Sequence, residues 1–237
     1  MWCRRCRYRC GTRRRPLQLY PQYKGEDCVQ GRRLIIEDQI AGEFVERLAA
    51  RSARVKVGMP LDESADMDSL IMSNTWTKCW ATSSPAAAKL VFGGKRKVEG
   101  GFDKGYFVVL TILTGVSPDM AIFREKIFGP VLSVMTFNTV EEVVQLANDT
   151  HYGLGTGIWS KGIDNALLVS KRLRSGTVCV YTFLETAVQL PFGGLGQSGL
   201  GRENGLEGLL EFMDVKSTFI TLGKCSDALP LALDRAR

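Results

Sequence analysis

Cys28, in Gly25-Glu26-Asp27-Cys28, is the first residue whose type and place could do chemistry. It stands just before the apolar run Leu34-Ile35-Ile36, where a loop can present a thiol to a cleft. A cysteine acts as a nucleophile through its thiolate, which a nearby cation or helix dipole favours; the alternative is a half-buried structural thiol. Glu125-Lys126-Ile127-Phe128-Gly129-Pro130 sets charges and an aromatic ring ahead of another strand. That is a place to build a site, although a capped turn has the same composition. Within Phe192 to Gly199, the spacing Gly194-x-Gly196-x-x-Gly199 has the form of a dinucleotide fingerprint. A true fingerprint is the first turn of a βαβ unit, with an acid about 20 residues further on. Here Pro191 precedes it and the helix begins late, so a tight pocket-shaping loop is expected. His151, the one histidine, follows a helix and is expected to cap its end. Without a second histidine, a histidine-based metal site or triad has no support. Cys3, Cys6 and Cys10 have a metal-like spacing but no fourth ligand nearby, whereas structural zinc wants four. No metal is expected.

The elements that must hold these residues follow from periodicity. Leu34 to Ile36 is a buried strand, and Ile40, Phe44, Val45 and Leu48 recur at helical spacing until Gly58-Met59-Pro60. Strands are expected at Lys89 to Phe92, Tyr106 to Leu113, Val131 to Phe137, Leu154 to Trp159 and Gly176 to Val180. Helices are expected at Val140 to Asn148, Asp164 to Leu173 and Leu206 to Phe212, with a closing strand at Val215 to Leu222. Strands alternating with helices imply crossover connections, hence an α/β fold with a mainly parallel sheet and helices on both faces.

Composition bounds the function. A chain of 237 residues, 45% hydrophobic, holds a sizeable core. No run approaches the roughly 18 apolar residues of a membrane span, and residues 1–15 lack the apolar stretch of a secretory signal. A cytoplasmic chain is expected. The net charge of +6 is local: seven of the 31 basic residues lie within the first fifteen, leaving 24 against 25 acidic ones. The body therefore carries no signal for nucleic acid or an anionic membrane. Seven scattered cysteines read as reduced thiols.

Together these motifs resemble the aldehyde dehydrogenase superfamily, over roughly Gly25 to Leu222. Glu125 to Pro130 is similar to the family's E-E-I-F-G-P. Ala147-Asn148-Asp149-Thr150, Tyr152-Gly153-Leu154, Gly176-Thr177-Val178, Pro191-Phe192-Gly193-Gly194 and Ser198 to Gly205 follow in order. The Gly-Arg-Glu-Asn-Gly wording is similar to members acting on betaine-type and amino aldehydes. The resemblance implies the carboxyl-terminal catalytic half of such an enzyme: 1–24 an unstructured Arg/Cys-rich tail, 25–213 the catalytic domain, 214–222 an oligomerisation strand and 223–237 a loose tail. It implies Cys28 as the nucleophile that forms a thiohemiacetal and then a thioester, with NAD or NADP taking the hydride. It implies Phe128 near the nicotinamide ribose, Phe192 in the substrate funnel, and a homo-oligomer or pairing with a full-length homologue.

The departures shape the expectation further. The family's cofactor domain, its E-L-G-G-K general base and its oxyanion asparagine lie upstream of the nucleophile, and none of the residues before Cys28 resembles them. Loss of a positioned base costs thioester hydrolysis roughly 10² to 10⁴ in rate. Lys126 stands at a cofactor-binding position where the family carries a glutamate that grips ribose hydroxyls; it exchanges an acceptor for a cation. The chain alone is thus expected to be impaired or inactive. The competing readings are a non-catalytic remnant that pairs with other subunits, a slow cofactor-free thiol esterase, and nucleic-acid or metal binding by the tail.

Overall fold

Short apolar runs, punctuated by glycine and helix caps, fold into a layered α/β body. The computed structural model describes residues 22–74, 88–183 and 185–222, with the backbone of a short strand, β1 (Trp2–Arg4). A four-stranded sheet holds β2 (Arg33–Glu37), β5 (Val131–Phe137), β4 (Thr111–Thr114) and β3 (Lys89–Phe92), in that order. The β2–β5 and β5–β4 pairs are parallel, and β3 returns antiparallel to β4. A second sheet joins β1, β7 (Gly155–Ser160) and β8 (Thr177–Val180) in parallel, and β6 (Tyr152–Gly153) pairs antiparallel with β9 (Leu195–Gly196). The expected parallel sheet is thus a mixed, mostly parallel four-stranded sheet beside a smaller parallel one.

Side chains in a strand point alternately to its two faces. In the four-stranded sheet both faces are covered. Ile35, Leu113, Val131 and Met135 enter one cluster, with Ile122 and Phe123 of α2 (Ala121–Arg124), Val143 and Val144 of α3 (Val140–Asn148) and Ala166 and Val169 of α4 (Ile163–Arg172). Leu34, Ile36, Ile112, Leu132 and Val134 enter the other, against Ile40, Phe44 and Leu48 of α1 (Asp38–Ser52). This is why β2 carries the continuous run Leu34-Ile35-Ile36 and β5 is mostly apolar, neither showing strict alternation. Helix α3 starts where Thr139 accepts a hydrogen bond from the Glu142 amide at 3.1 Å, while the Glu142 carboxylate accepts from the Asn138 amide at 2.8 Å. The arrangement is close to a capping box.

One expectation changes, and both terminal segments gain detail. The strand foreseen from Tyr106 begins only at Thr111, because its parallel partner β5 begins at Val131, opposite Thr111; Tyr106 and Val108 make isolated bridges to Leu70 and Arg96. The segment 1–24, expected to lack structure, contributes β1, which lies along the open edge of β7, and a 3₁₀ turn at Gln22–Gly25. Open strand edges present unpaired amides and carbonyls that take up extended backbone in this way. Residues 5–21 lie outside the described residues, as do 223–237. The stretch 214–222 is extended but joins no ladder; Val215 is 96% and Phe219 93% exposed. A strand needs a neighbour, and none within the described residues reaches it.

Because both faces of β2 are buried, Ile35→Ala and Ile36→Ala each remove a core side chain. Each is expected to cost about 2–5 kcal/mol in urea unfolding. A loss below about 0.5 kcal/mol for either variant, the range of surface changes, contradicts burial on both faces.

Candidate active site

The parallel β2–β5 register places two loops side by side. Arg33 pairs with Ser133, and Cys28 and Phe128 each stand five residues ahead of that pair. Both therefore lie at the amino ends of neighbouring strands. That edge is opposite to the carboxyl-end crevice that open α/β sheets more often use.

Local contacts hold the cysteine loop in shape. The Asp27 carboxylate accepts from the Val29 amide at 3.1 Å, and the Asp27 carbonyl accepts from the Gln30 amide at 3.3 Å. Arg32 Nη2 donates to the Asp27 carbonyl at 2.6 Å and to the Gly25 carbonyl at 3.2 Å. Its guanidinium also lies 5.1 Å from the centroid of the Phe128 ring, tying one loop to the other. Gly25 has a φ of +77°, and a Cβ there would sit 2.1 Å from the Gly129 carbonyl oxygen. Only glycine lets the two backbones approach so closely. Phe128 itself has a φ of +59°, a conformation costly for a bulky residue and found where the surroundings over-determine it. Glu26 accepts from the Ile71 amide at 3.1 Å, and Lys24 pairs with Asp68 at 2.8 Å, fastening the start of the loop.

Cys28 is exposed and lines a cavity of about 330 Å³. Lys126, half-buried, points its Nζ to within 3.4 Å of Cys28 Sγ and lies 4.8 Å from the Phe128 ring centroid. Arg33, at the start of β2, also borders the cavity. Burial lowers the Arg33 guanidinium from its ordinary value; the charge of Asp149 opposes the shift and that of Arg124 adds to it. The residue still carries its charge, given how high an arginine titrates. Its guanidinium lies 5.2 Å from the Phe123 ring, and the ion pair of Arg124 with Asp149 closes the same corner. Glu125 is the one carboxylate among the described residues that border the cavity.

Of the residues singled out by sequence, Cys28, Lys126 and Phe128 come together. Phe192 does not join them. It forms an isolated bridge with Glu203, their backbones exchanging two hydrogen bonds of 2.7 Å, and it does not border the cavity. Its loop reaches the cavity through Gln197 and Ser198 instead. The Gly194-x-Gly196-x-x-Gly199 stretch opens no helix. It supplies β9, and Ser198 Oγ accepts from the Gly153 amide at 3.0 Å. His151 serves through its carbonyl, which accepts from the Gln197 amide at 2.9 Å. Arg32 and Arg33 were missed; two adjacent arginines entering an apolar strand were the available signal. Among the described residues no cluster of metal-ligating side chains occurs; Cys6 and Cys10, and the side chain of Cys3, lie outside them.

An exposed thiol beside an amine, on a cavity wall, can attack a carbonyl carbon and hold the product as a covalent adduct. Comparison with known proteins finds similarity to one enzyme family. The model of the Aldehyde dehydrogenase family matches residues 20–218. The chain is 38% identical over 203 residues to a betaine aldehyde dehydrogenase of Brucella anthropi, covering 84% of this chain and 42% of that protein. It is 38% identical over 202 residues to the betaine aldehyde dehydrogenase of Mesorhizobium japonicum, with the same coverage. An NAD-dependent aldehyde dehydrogenase from Sinorhizobium meliloti superposes with a TM-score of 0.81 at 36% identity, over 89% of this chain and 42% of that one. A betaine aldehyde dehydrogenase from Staphylococcus aureus in complex with NAD+ superposes at 0.77 and 35% identity, over 80% and 38%. The chain thus spans about 42% of the length of these curated relatives.

The close approach at Gly25 generates a prediction. Gly25→Ala is expected to destabilise the protein by about 1–3 kcal/mol, from strain at a positive φ, and to change the rate of Cys28 alkylation by iodoacetamide. Urea unfolding and mass mapping of the Cys28 peptide measure the two effects. Parental values for both would show that the loops do not need this contact.

Proposed function

Because the chain belongs to the aldehyde dehydrogenase family, we propose that it supplies the nucleophile for oxidation of an aldehyde to a carboxylate. NAD or NADP, when bound, accepts the hydride. The observation that carries the reading is the exposed Cys28 thiol on the wall of the cavity, held by Arg32 and Gly25 against the Phe128 loop. Its sulfur adds to the aldehyde carbon to give a thiohemiacetal; after oxidation the carbonyl remains on sulfur as a thioester, which water releases. Arg32 and the Asp27 turn hold the loop; the Phe128 ring packs against the Arg32 guanidinium and the Lys126 amine.

The described residues do not by themselves fit the dinucleotide. Its phosphates want a glycine-rich turn that opens a helix, and residues 194–199 form an antiparallel pair instead. Ribose hydroxyls are well served by a carboxylate acceptor, and Lys126 brings a cation. No redox step is therefore routed through these side chains. Two observations support companion readings. The Cys28–Lys126 pair suits acyl chemistry that needs no cofactor, the thiol-esterase reading. The bare apolar segment 214–222 suits pairing with another subunit.

An activated ester separates the nucleophile from the redox chemistry. With p-nitrophenyl acetate, a burst of p-nitrophenolate stoichiometric with the chain is expected, lost in Cys28→Ala. No burst from the parent chain, or a burst that survives Cys28→Ala, contradicts the assignment. Aldehyde-dependent reduction of NAD+ or NADP+ that persists in Cys28→Ala would do the same.

A further inference from the structure

Lys126 ends 3.4 Å from the sulfur that the proposed reaction acylates. From this geometry we infer that Lys126 is an acyl-acceptor site: an acyl group carried by Cys28 passes from sulfur to Lys126 Nζ. The inference rests on Cys28 being the nucleophile. In the step, the neutral amine attacks the carbonyl carbon of the Cys28 thioester. An N–C bond forms, the C–S bond breaks, and the electron pair of that bond returns to sulfur. The proton shed by nitrogen ends on the Cys28 thiolate. The products are a free thiol and an amide on Lys126, with no oxidant, reductant or cofactor consumed.

Three observations carry it. The first is distance. An acyl carbon is bonded directly to Sγ, so rotation about the Cβ–Sγ bond brings it within the roughly 3–3.5 Å of a near-attack geometry. Groups so placed reach effective concentrations of about 10⁵–10⁸ M, far above what bulk lysine or buffer amines offer. The second is the freedom of the amine. Among the described residues, Lys126 has no carboxylate at ion-pair distance; its recorded neighbours are the sulfur and the Phe128 ring. The third is the weakness of the competing route. Water needs a base to attack the thioester quickly. Among the described residues no histidine borders the cavity, and Glu125 is the one carboxylate that does. A thioester here therefore meets an amine at contact distance and no positioned base for water. Because an amide is more stable than a thioester, the transfer runs one way and leaves the acyl group on the protein.

Mass mapping of the full chain after treatment with p-nitrophenyl acetate tests this, with and without hydroxylamine, which cleaves thioesters and spares amides. The expected result is acetyl on Lys126, resistant to hydroxylamine and at least ~10-fold above any other lysine, as the effective-concentration argument requires. Cys28→Ala should abolish this selectivity. Lys126→Arg should hold the acetyl group on Cys28 in a hydroxylamine-labile form. A parent chain that gives the burst but keeps its acetyl on Cys28, with Lys126 unmodified, overturns the transfer and leaves the nucleophile intact. Equal acetylation of Lys126 in Cys28→Ala also overturns it, since the amine would then react directly. No burst at all overturns the nucleophile assignment and this inference with it.

Discussion

Everything at the site depends on the parallel pairing of β2 with β5. Two strands separated by about a hundred residues share one register, Arg33 against Ser133. Their preceding loops are then carried to the same edge of the sheet. Parallel neighbours need a crossover connection, and the intervening chain supplies it along with β3, β4 and α1. Both strands are buried on both faces, so a shift by one residue would send each apolar set to the wrong cluster. The core that stabilises the register also fixes where Cys28 meets Lys126.

The fold was largely legible in the sequence because its long elements obey one period at a time. Val131 to Phe137 and Val140 to Asn148 fall where their patterns place them, and α1, α4, β3, β7 and β8 begin or end within a few residues of expectation. What periodicity leaves open is the pairing partner. Tyr106 to Leu110 has strand-like residues, but its ladder can start only where β5 starts. Residues 215–222 have β-branched composition, and the strand expected there pairs with another subunit, so a single chain leaves it exposed. Whether a segment pairs is a tertiary fact, and composition alone does not hold it.

The site was legible at the level of residue type and less so at the level of contact. Cys28, Phe128 and Lys126 were each marked by their motifs; that Lys126 points at the sulfur needed the register. Phe192 stands apart from these three, and its place also needed the loop contacts. Its loop is set by the Phe192–Glu203 bridge and by the packing of Gly176 against Gly193, so Gln197 and Ser198 face the cavity instead. Family membership explains the frame, whereas Lys126 gives the cavity a feature of its own: an amine 3.4 Å from the Cys28 sulfur.

The central claim is that β2–β5 pairing holds the Cys28 sulfur against the Lys126 amine. Treatment of the folded chain with the shortest thiol–amine heterobifunctional reagent, followed by peptide mapping, tests it most directly. Cys28 joined chiefly to Lys126, with the link lost in 8 M urea (a concentration of roughly the order that unfolds such domains), is the predicted result. Cys28 joined to other lysines in preference, or the same yield after unfolding, would contradict it.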